Sequence, residues 1–258
     1  FEIHYCSHWS WQECKKAFAW SLNEWIYYGG YPGSAGIVRD ADRWSEYIAN
    51  SLIESVLSKD VLQLTAVNKP ALLRQLFMLA VRSHAQILSY NKMLGQLQDA
   101  GNTVTLAHYL NLLSSAYLIS GIPLWSRGII KDRASSPKLI VWNNALITSL
   151  SQISYNEARK KRDFWGRLVE NAVGAYILNH LPTGMNLYYW RNNGVEVDFI
   201  IESRQKILAL EVKSGILKPS QGFNILHKKY PNINTLIIGT GGIPLEKFFS
   251  TLPQKWMN

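Results

Sequence analysis

At 258 residues, 47% hydrophobic and 12% aromatic, the chain can bury one large core or two of ordinary size, which excludes an intrinsically disordered segment. Its 27 Lys and Arg against 18 Asp and Glu give a formal charge of +9, which favours polyanionic partners, nucleic acid before an acidic membrane. Two cysteines, Cys6 and Cys14, are too few for a disulfide framework or a cysteine-built zinc site. No apolar run reaches the roughly 20 residues that span a bilayer. The opening FEIHYCSHWSWQECKK also lacks the order of a secretory signal, so the setting predicted is reduced and cytoplasmic, with no membrane partner.

In chain order, residues 1–84 read as mostly helical. Ser10 is placed to cap a helix through Trp20, and Trp44, Tyr47, Ile48, Ser51, Leu52 and Val56 recur at helical spacing. Between these stretches lies YYGGYPGSAG, whose four glycines and one proline mark a tight connection. A phosphate loop would need its last glycine followed by Lys and Ser or Thr at a helix start. No such triplet occurs in the chain, so these glycines are read as a turn between helices.

Residues 85–150 carry a winged-helix pattern. SYNKMLGQLQ predicts a short helix, DAGNT a turn, and VTLAHYLNLLSSAYLI a longer helix with Leu106, Leu110, Leu113 and Tyr117 on one stripe. Two extended pieces around a basic loop follow in IPLWSRGIIKDRASSPKLIVW. Such a unit can present a helix to the major groove and a wing to the phosphate backbone, or serve as a packing module. The residues placed for nucleic-acid contact are Thr105 and His108 on the second helix and Arg127, Lys131, Arg133 and Lys138 of the wing. Lys160 and Lys161 of RKKRDFWGR join them, although basic runs are also found as simply solvated faces.

Residues 151–258 read helix, three strands, helix, strand. The helix is DFWGRLVENAVGAYILNHL, and NLYYW meets VEVDFII through RNNG, whose Asn-Gly is a strong hairpin signal. ILALEVKS, a helix across PSQGFNILHKKY, and TLIIG complete the order. If Ser203 to Lys206 form the second turn, Glu202 faces Ile207, and Ile201, Phe199 and Val197 face Leu208, Leu210 and Val212 on one side of the sheet. The other side then sets Ile200 against Ala209, Asp198 against Glu211 and Glu196 against Lys213. Opposed carboxylates destabilise a ladder. A divalent cation, magnesium or manganese in its place, would compensate them, with Lys213 near the attacking water. Glu170 interrupts the apolar stripe Gly166, Val173, Ile177 and Leu181, and is read as a third acid of the same site or as the partner of a basic neighbour. The plainer alternative is an exposed face with a Glu196 to Lys213 ion pair.

A helix carboxylate, then Asp, then Glu-x-Lys on adjacent strands resembles the PD-(D/E)XK nuclease-like superfamily, with Val197 standing where that family usually has Pro. The resemblance implies Asp198 and Glu211 as metal ligands, and Lys213 and Glu170 as catalytic groups. The chain as a whole resembles the back part of a prokaryotic family of AAA-type ATPases with a C-terminal domain of unknown function. HWSWQECKKAFAW, YYGGYPGSAG, SSPKLIVWNNAL, LVENAV, VEVDFII and ALEVKSG carry that likeness, and Asn143 and Ala145 depart from the family's Asp and Gly. It implies that ATP binds only in an upstream domain, and that the partners are that ATPase domain, DNA and further copies of the chain. The expected fold is α+β: a helical and winged-helix N-terminal part followed by a restriction-endonuclease-like α/β domain of PD-(D/E)XK type. The expected function is the DNA-binding, nuclease-like C-terminal region of an AAA-type ATPase, with a non-catalytic nucleic-acid or protein docking and assembly region as the alternative.

Overall fold

Capping boxes built on serine decide where three of the helices begin. Ser10, Ser21 and Ser154 each accept from the backbone three residues on, while Glu13, Glu24 and Glu157 reach back to the cap, so that two otherwise orphaned N–H groups are satisfied at each start. The computed structural model describes residues 6–61, 67–99, 101–126, 135–204, 206–215 and 220–257, the side chains of 59–61 excepted.

The helix begun at Ser10, α1 (Trp11–Phe18), stops before Trp20 because Ala19 turns left-handed and Ser21 starts α2 (Leu22–Tyr28). The glycine-rich stretch ends α2 at Gly29 and continues as a 3-10 turn, Pro32–Ile37. Next comes α3 (Ala41–Glu46), prolonged by wider π-type turns Tyr47–Glu54 and Val56–Val61. The next elements are α4 (Pro70–Arg82), α5 (Tyr90–Leu94), α6 (Thr103–Ser115), and the antiparallel pair β1 (Ile119–Ile122) and β2 (Lys138–Val141). Then follow α7 (Ala145–Ser151), α8 (Tyr155–Lys160) and the long α9 (Arg162–His180).

The remaining strands make a four-stranded mixed sheet in the order β3 (Asn186–Asn192), β4 (Val195–Glu202), β5 (Ile207–Lys213) and β6 (Asn234–Gly239). Asn193 and Gly194 both take positive φ, 47° and 83°, which gives the β3–β4 hairpin the backbone twist that Asn-Gly favours. α10 (Gln221–Lys229) carries the chain from β5 to the parallel β6, and α11 (Leu245–Phe249) follows. The expected β4–β5 register holds for Glu202 to Phe199 against Ile207 to Leu210, and the pairing then stops. Beyond it, the Val212 N–H donates to Asp198 Oδ2 at 2.8 Å, a side chain replacing a ladder carbonyl.

One apolar core draws on every stretch of the chain: Trp44, Leu76, Leu110, Ile140, Val173, Phe199 and Leu210 all belong to it. A smaller core on the other side of the sheet holds Val197, Ile200 and Ala209 under Phe223 and Leu226 of α10. Val197 was expected on the side of Phe199. A bulge reverses it, because between the pairs Tyr188–Ile200 and Trp190–Val197 the single residue Tyr189 of β3 faces both Asp198 and Phe199 of β4.

Buried asparagines tie the helical part to the sheet. Asn171 of α9 accepts from Val141 N (2.9 Å) and donates to Val141 O (2.8 Å) and Asn144 Oδ1 (2.8 Å). Asn144 in turn donates to the carbonyls of Ile26 (2.7 Å) and Leu168 (2.9 Å). Its neighbour Asn143 accepts through Oδ1 from the N–H groups of Gly30 and Ala145. The close approach leaves no room at Gly29, where an added Cβ would lie 1.8 Å from Asn143 Oδ1 and the backbone sits at φ 72°, ψ −166°. That region is essentially reserved for glycine, and a side chain there costs about 1–3 kcal/mol from backbone strain alone. Gly29→Ala is therefore expected to lower the urea unfolding midpoint, with a loss of at least about 2 kcal/mol once the clash is added. An unchanged midpoint would show that the loop is free to move away from Asn143.

Candidate functional site

β2 delivers an unusual residue into the core. Leu139, Ile140 and Val141 are fully buried, and so is Lys138 at the strand's start, with 0% of its side chain exposed. A buried ammonium needs anions and acceptors around it. Lys138 Nζ lies 2.5 Å from Glu170 Oε1, 2.8 Å from Glu196 Oε1, 3.6 Å from Asp198 Oδ1 and 3.3 Å from the Asp198 carbonyl, and 5.0 Å from the centre of the Phe199 ring. α9 supplies Glu170, so the carboxylate that interrupts its apolar stripe does reach a basic neighbour. The β4 bulge supplies the rest, turning Asp198 to the α9 side beside Phe199, while Glu196 reaches the same ammonium.

The acids keep a window to water, with side-chain exposures of 21% for Glu170, 32% for Glu196 and 19% for Asp198. Burial alone would pull the Lys138 pKa down, but the charges of Glu170, Asp198 and Glu196 outweigh it and hold the amine above the ordinary lysine value. Burial pushes Glu170 up to about 7 against the pull of Lys138, and the neighbouring Asp198 and Glu196 push the same way.

Glu211 and Lys213 stand elsewhere. Side chains alternate along β5 from Ala209, which lies in the smaller core, and this sets Glu211 and Lys213 on the α10 side of the sheet. There they pair with each other, and Glu211, 8% exposed, keeps Oε2 without a partner. The expected confrontation of Asp198 with Glu211 is thus not formed, because the bulge moves Asp198 to the opposite face. The pairing of Glu196 with Lys213 is replaced as well, Glu196 holding Lys138 and Lys213 holding Glu211.

The residues expected at nucleic acid are scattered. Lys138 is corrected outright, since a fully buried amine saturated by carboxylates offers nothing to a phosphate. Thr105 is taken up by the cap of its own helix, its N–H and hydroxyl both donating to Asn102 Oδ1, whereas His108 is exposed. Lys160 and Lys161 are exposed at the end of α8, and between them and the sheet opens a cleft of about 690 Å³ lined by Arg159, Arg162, Trp165 and Lys213 among others. The Arg159 guanidinium lies 4.7 Å from the Trp165 ring centre. Arg127, Lys131 and Arg133 fall outside the described residues. Sequence reasoning missed two members of the cluster, Lys138 as its cation and Glu196 as an acid. The signal for Lys138 was its place directly before the unbroken apolar run LIV.

A helical N-terminal part with the antiparallel pair β1–β2, joined through one core to a mixed sheet with helices on both faces, defines an α+β protein. Residues 165–250 match the family described as Domain of unknown function (DUF4143), a domain found in AAA-ATPase-associated proteins, so a C-terminal domain of unknown function fits this part of the chain. Residues 19–157, more than half of the chain, match the family described as Domain of unknown function (DUF8612), and the chain belongs to that family. No curated protein and no solved structure matches it. Among the described residues no helix is long and apolar enough to cross a membrane.

A pH dependence follows from Glu170. Its pKa is raised on folding, so the folded chain holds a proton that the unfolded chain has lost above about 4.5, and the associated stability fades as pH rises through about 7. Glu170→Gln removes this dependence. Between pH 5 and pH 8 the variant is expected to gain roughly 2 kcal/mol relative to the parent, read as the difference of their urea midpoints. Parallel profiles for the two proteins would show that Glu170 ionises normally.

Proposed function

We propose that this chain is a docking region of an AAA-type ATPase that holds nucleic acid without cleaving it, on a winged-helix and PD-(D/E)XK nuclease-like framework. The order of α9, three strands, α10 and β6 around a mixed sheet supports the nuclease-like part of the reading, and α5, α6, β1 and β2 support the winged helix. The match of residues 165–250 to a domain of AAA-ATPase-associated proteins supports the ATPase connection.

The observation that carries the non-catalytic reading is the separation of the acids. Metal-dependent hydrolysis wants Asp198 and Glu211 on one ion with Lys213 beside it. Here Asp198 faces α9 and holds an ammonium, while Glu211 faces α10 and holds Lys213. Magnesium therefore does not fit the residues as they stand, and no hydrolytic step runs through them. For docking, the useful groups are the cations at the α8–α9 junction. Lys160 and Lys161 are exposed, and among the described residues neither Arg159 nor Arg162 has a carboxylate partner. Together with the excess of basic residues this gives a cleft rimmed by charges that phosphates can neutralise.

The test is a salt series of fluorescent-DNA binding, run beside a cleavage assay with magnesium or manganese. Replacing both Lys160 and Lys161 by Ala is expected to flatten the log–log salt slope by about 2, and no metal-dependent cleavage is expected. Cleavage that disappears in Asp198→Ala would overturn the non-catalytic reading. An unchanged salt slope would remove this surface as the dock.

A further inference from the structure

One carboxylate oxygen from each of Glu170, Glu196 and Asp198 lies within 4.8 Å of the others. Two oxygens opposed across a calcium ion stand at twice about 2.3–2.6 Å, so the spacing suits a hard divalent ion of that size. A fourth donor comes from the backbone. The Asp198 carbonyl points at the same centre, 3.3 Å from Lys138 Nζ. Carboxylates mixed with a backbone carbonyl are the ligand set that calcium and related ions take from proteins. At the centre stands an ammonium contributed by the start of β2, and its three N–H donors have oxygen partners from Glu170, Glu196 and Asp198.

We propose that Lys138 is a tethered substitute for a metal ion: its ammonium fills the position among these four oxygens that a divalent cation would take. The intact protein consequently accepts no divalent ion there, and removing the ammonium turns the cluster into a site for Ca²⁺ or Mn²⁺. Three features carry this. The ammonium is fully buried, so it does not leave for solvent when an ion arrives. All three acids stay partly exposed, so an ion has a path in. Withdrawing one positive charge from among three carboxylates also strengthens their attraction for a dication at close range. The proposal goes beyond the docking reading and does not depend on it, since the cleft at the α8–α9 junction is lined by other residues.

The experiment uses the full chain and its Lys138→Ala variant, with Mn²⁺ binding followed by calorimetry and by the electron paramagnetic resonance of free Mn²⁺. The variant is expected to bind Mn²⁺ at least ~10-fold more tightly than the parent. Its melting temperature is expected to rise with added Ca²⁺, and adding Glu196→Gln should cancel both effects. Equal binding by parent and variant, or a folded variant that binds neither ion, would overturn the proposal. If the variant is unfolded alone, Ca²⁺ restoring its circular dichroism supports the proposal, and failure of both ions to restore it overturns it. DNA binding by the parent is read in the same samples, so loss of the docking reading and loss of this one are told apart.

Discussion

The amide of Asn171 is the constraint on which the rest of the architecture depends. It pairs with both backbone groups of Val141, as a neighbouring strand would, and passes its remaining donor to Asn144. A helix thereby completes the hydrogen bonding of a strand end that, among the described residues, has no further strand beside it. Because the group is fully buried, an unmet N–H or carbonyl here would cost roughly 1–3 kcal/mol each. The register between α9 and β2 is thus specified by polar geometry as well as by packing. It is this register that sets Lys138, three residues before Val141, opposite Glu170, one residue before Asn171.

From that point the chemistry is decided by one extra residue. In a regular β4 strand Asp198 would point with Ile200 into the smaller core, toward Glu211. The bulge opposite Tyr189 puts Asp198 and Phe199 on the same side, so the acid meets the ammonium. The backbone around Tyr189 shows what holds the irregularity in place. Tyr189 donates to the Pro123 carbonyl and accepts from the Trp125 N–H, so the segment after β1 runs along the edge of β3 at the bulge. The deviation is clamped from the side opposite to its effect.

Much of this was legible from residue types. Asn-Gly located the hairpin, Ser10 located the first helix, and the alternation from Phe199 to Glu202 against Leu210 to Ile207 gave the correct register for four pairs. The reasoning lost its footing at Asp198, since strict two-residue alternation carries no information about a bulge, and the residues that clamp it lie far away in the chain. Lys138 was misread for a related reason. A lysine near a basic loop looks solvated until the strand is known to begin there with every side chain buried, and its partners are contributed by α9 and β4. The capped helix ends and local turns were readable because their causes are local. The cation of the cluster was not, because its cause is the tertiary meeting of β2, α9 and β4.

The ammonium and its acids straddle the two matched segments, Lys138 lying in 19–157 and Glu170, Glu196 and Asp198 in 165–250. Neither piece is electrostatically whole by itself: one would keep a stranded positive group in hydrocarbon surroundings, the other a trio of repelling anions. The boundary drawn by sequence families therefore does not coincide with a seam along which the molecule separates.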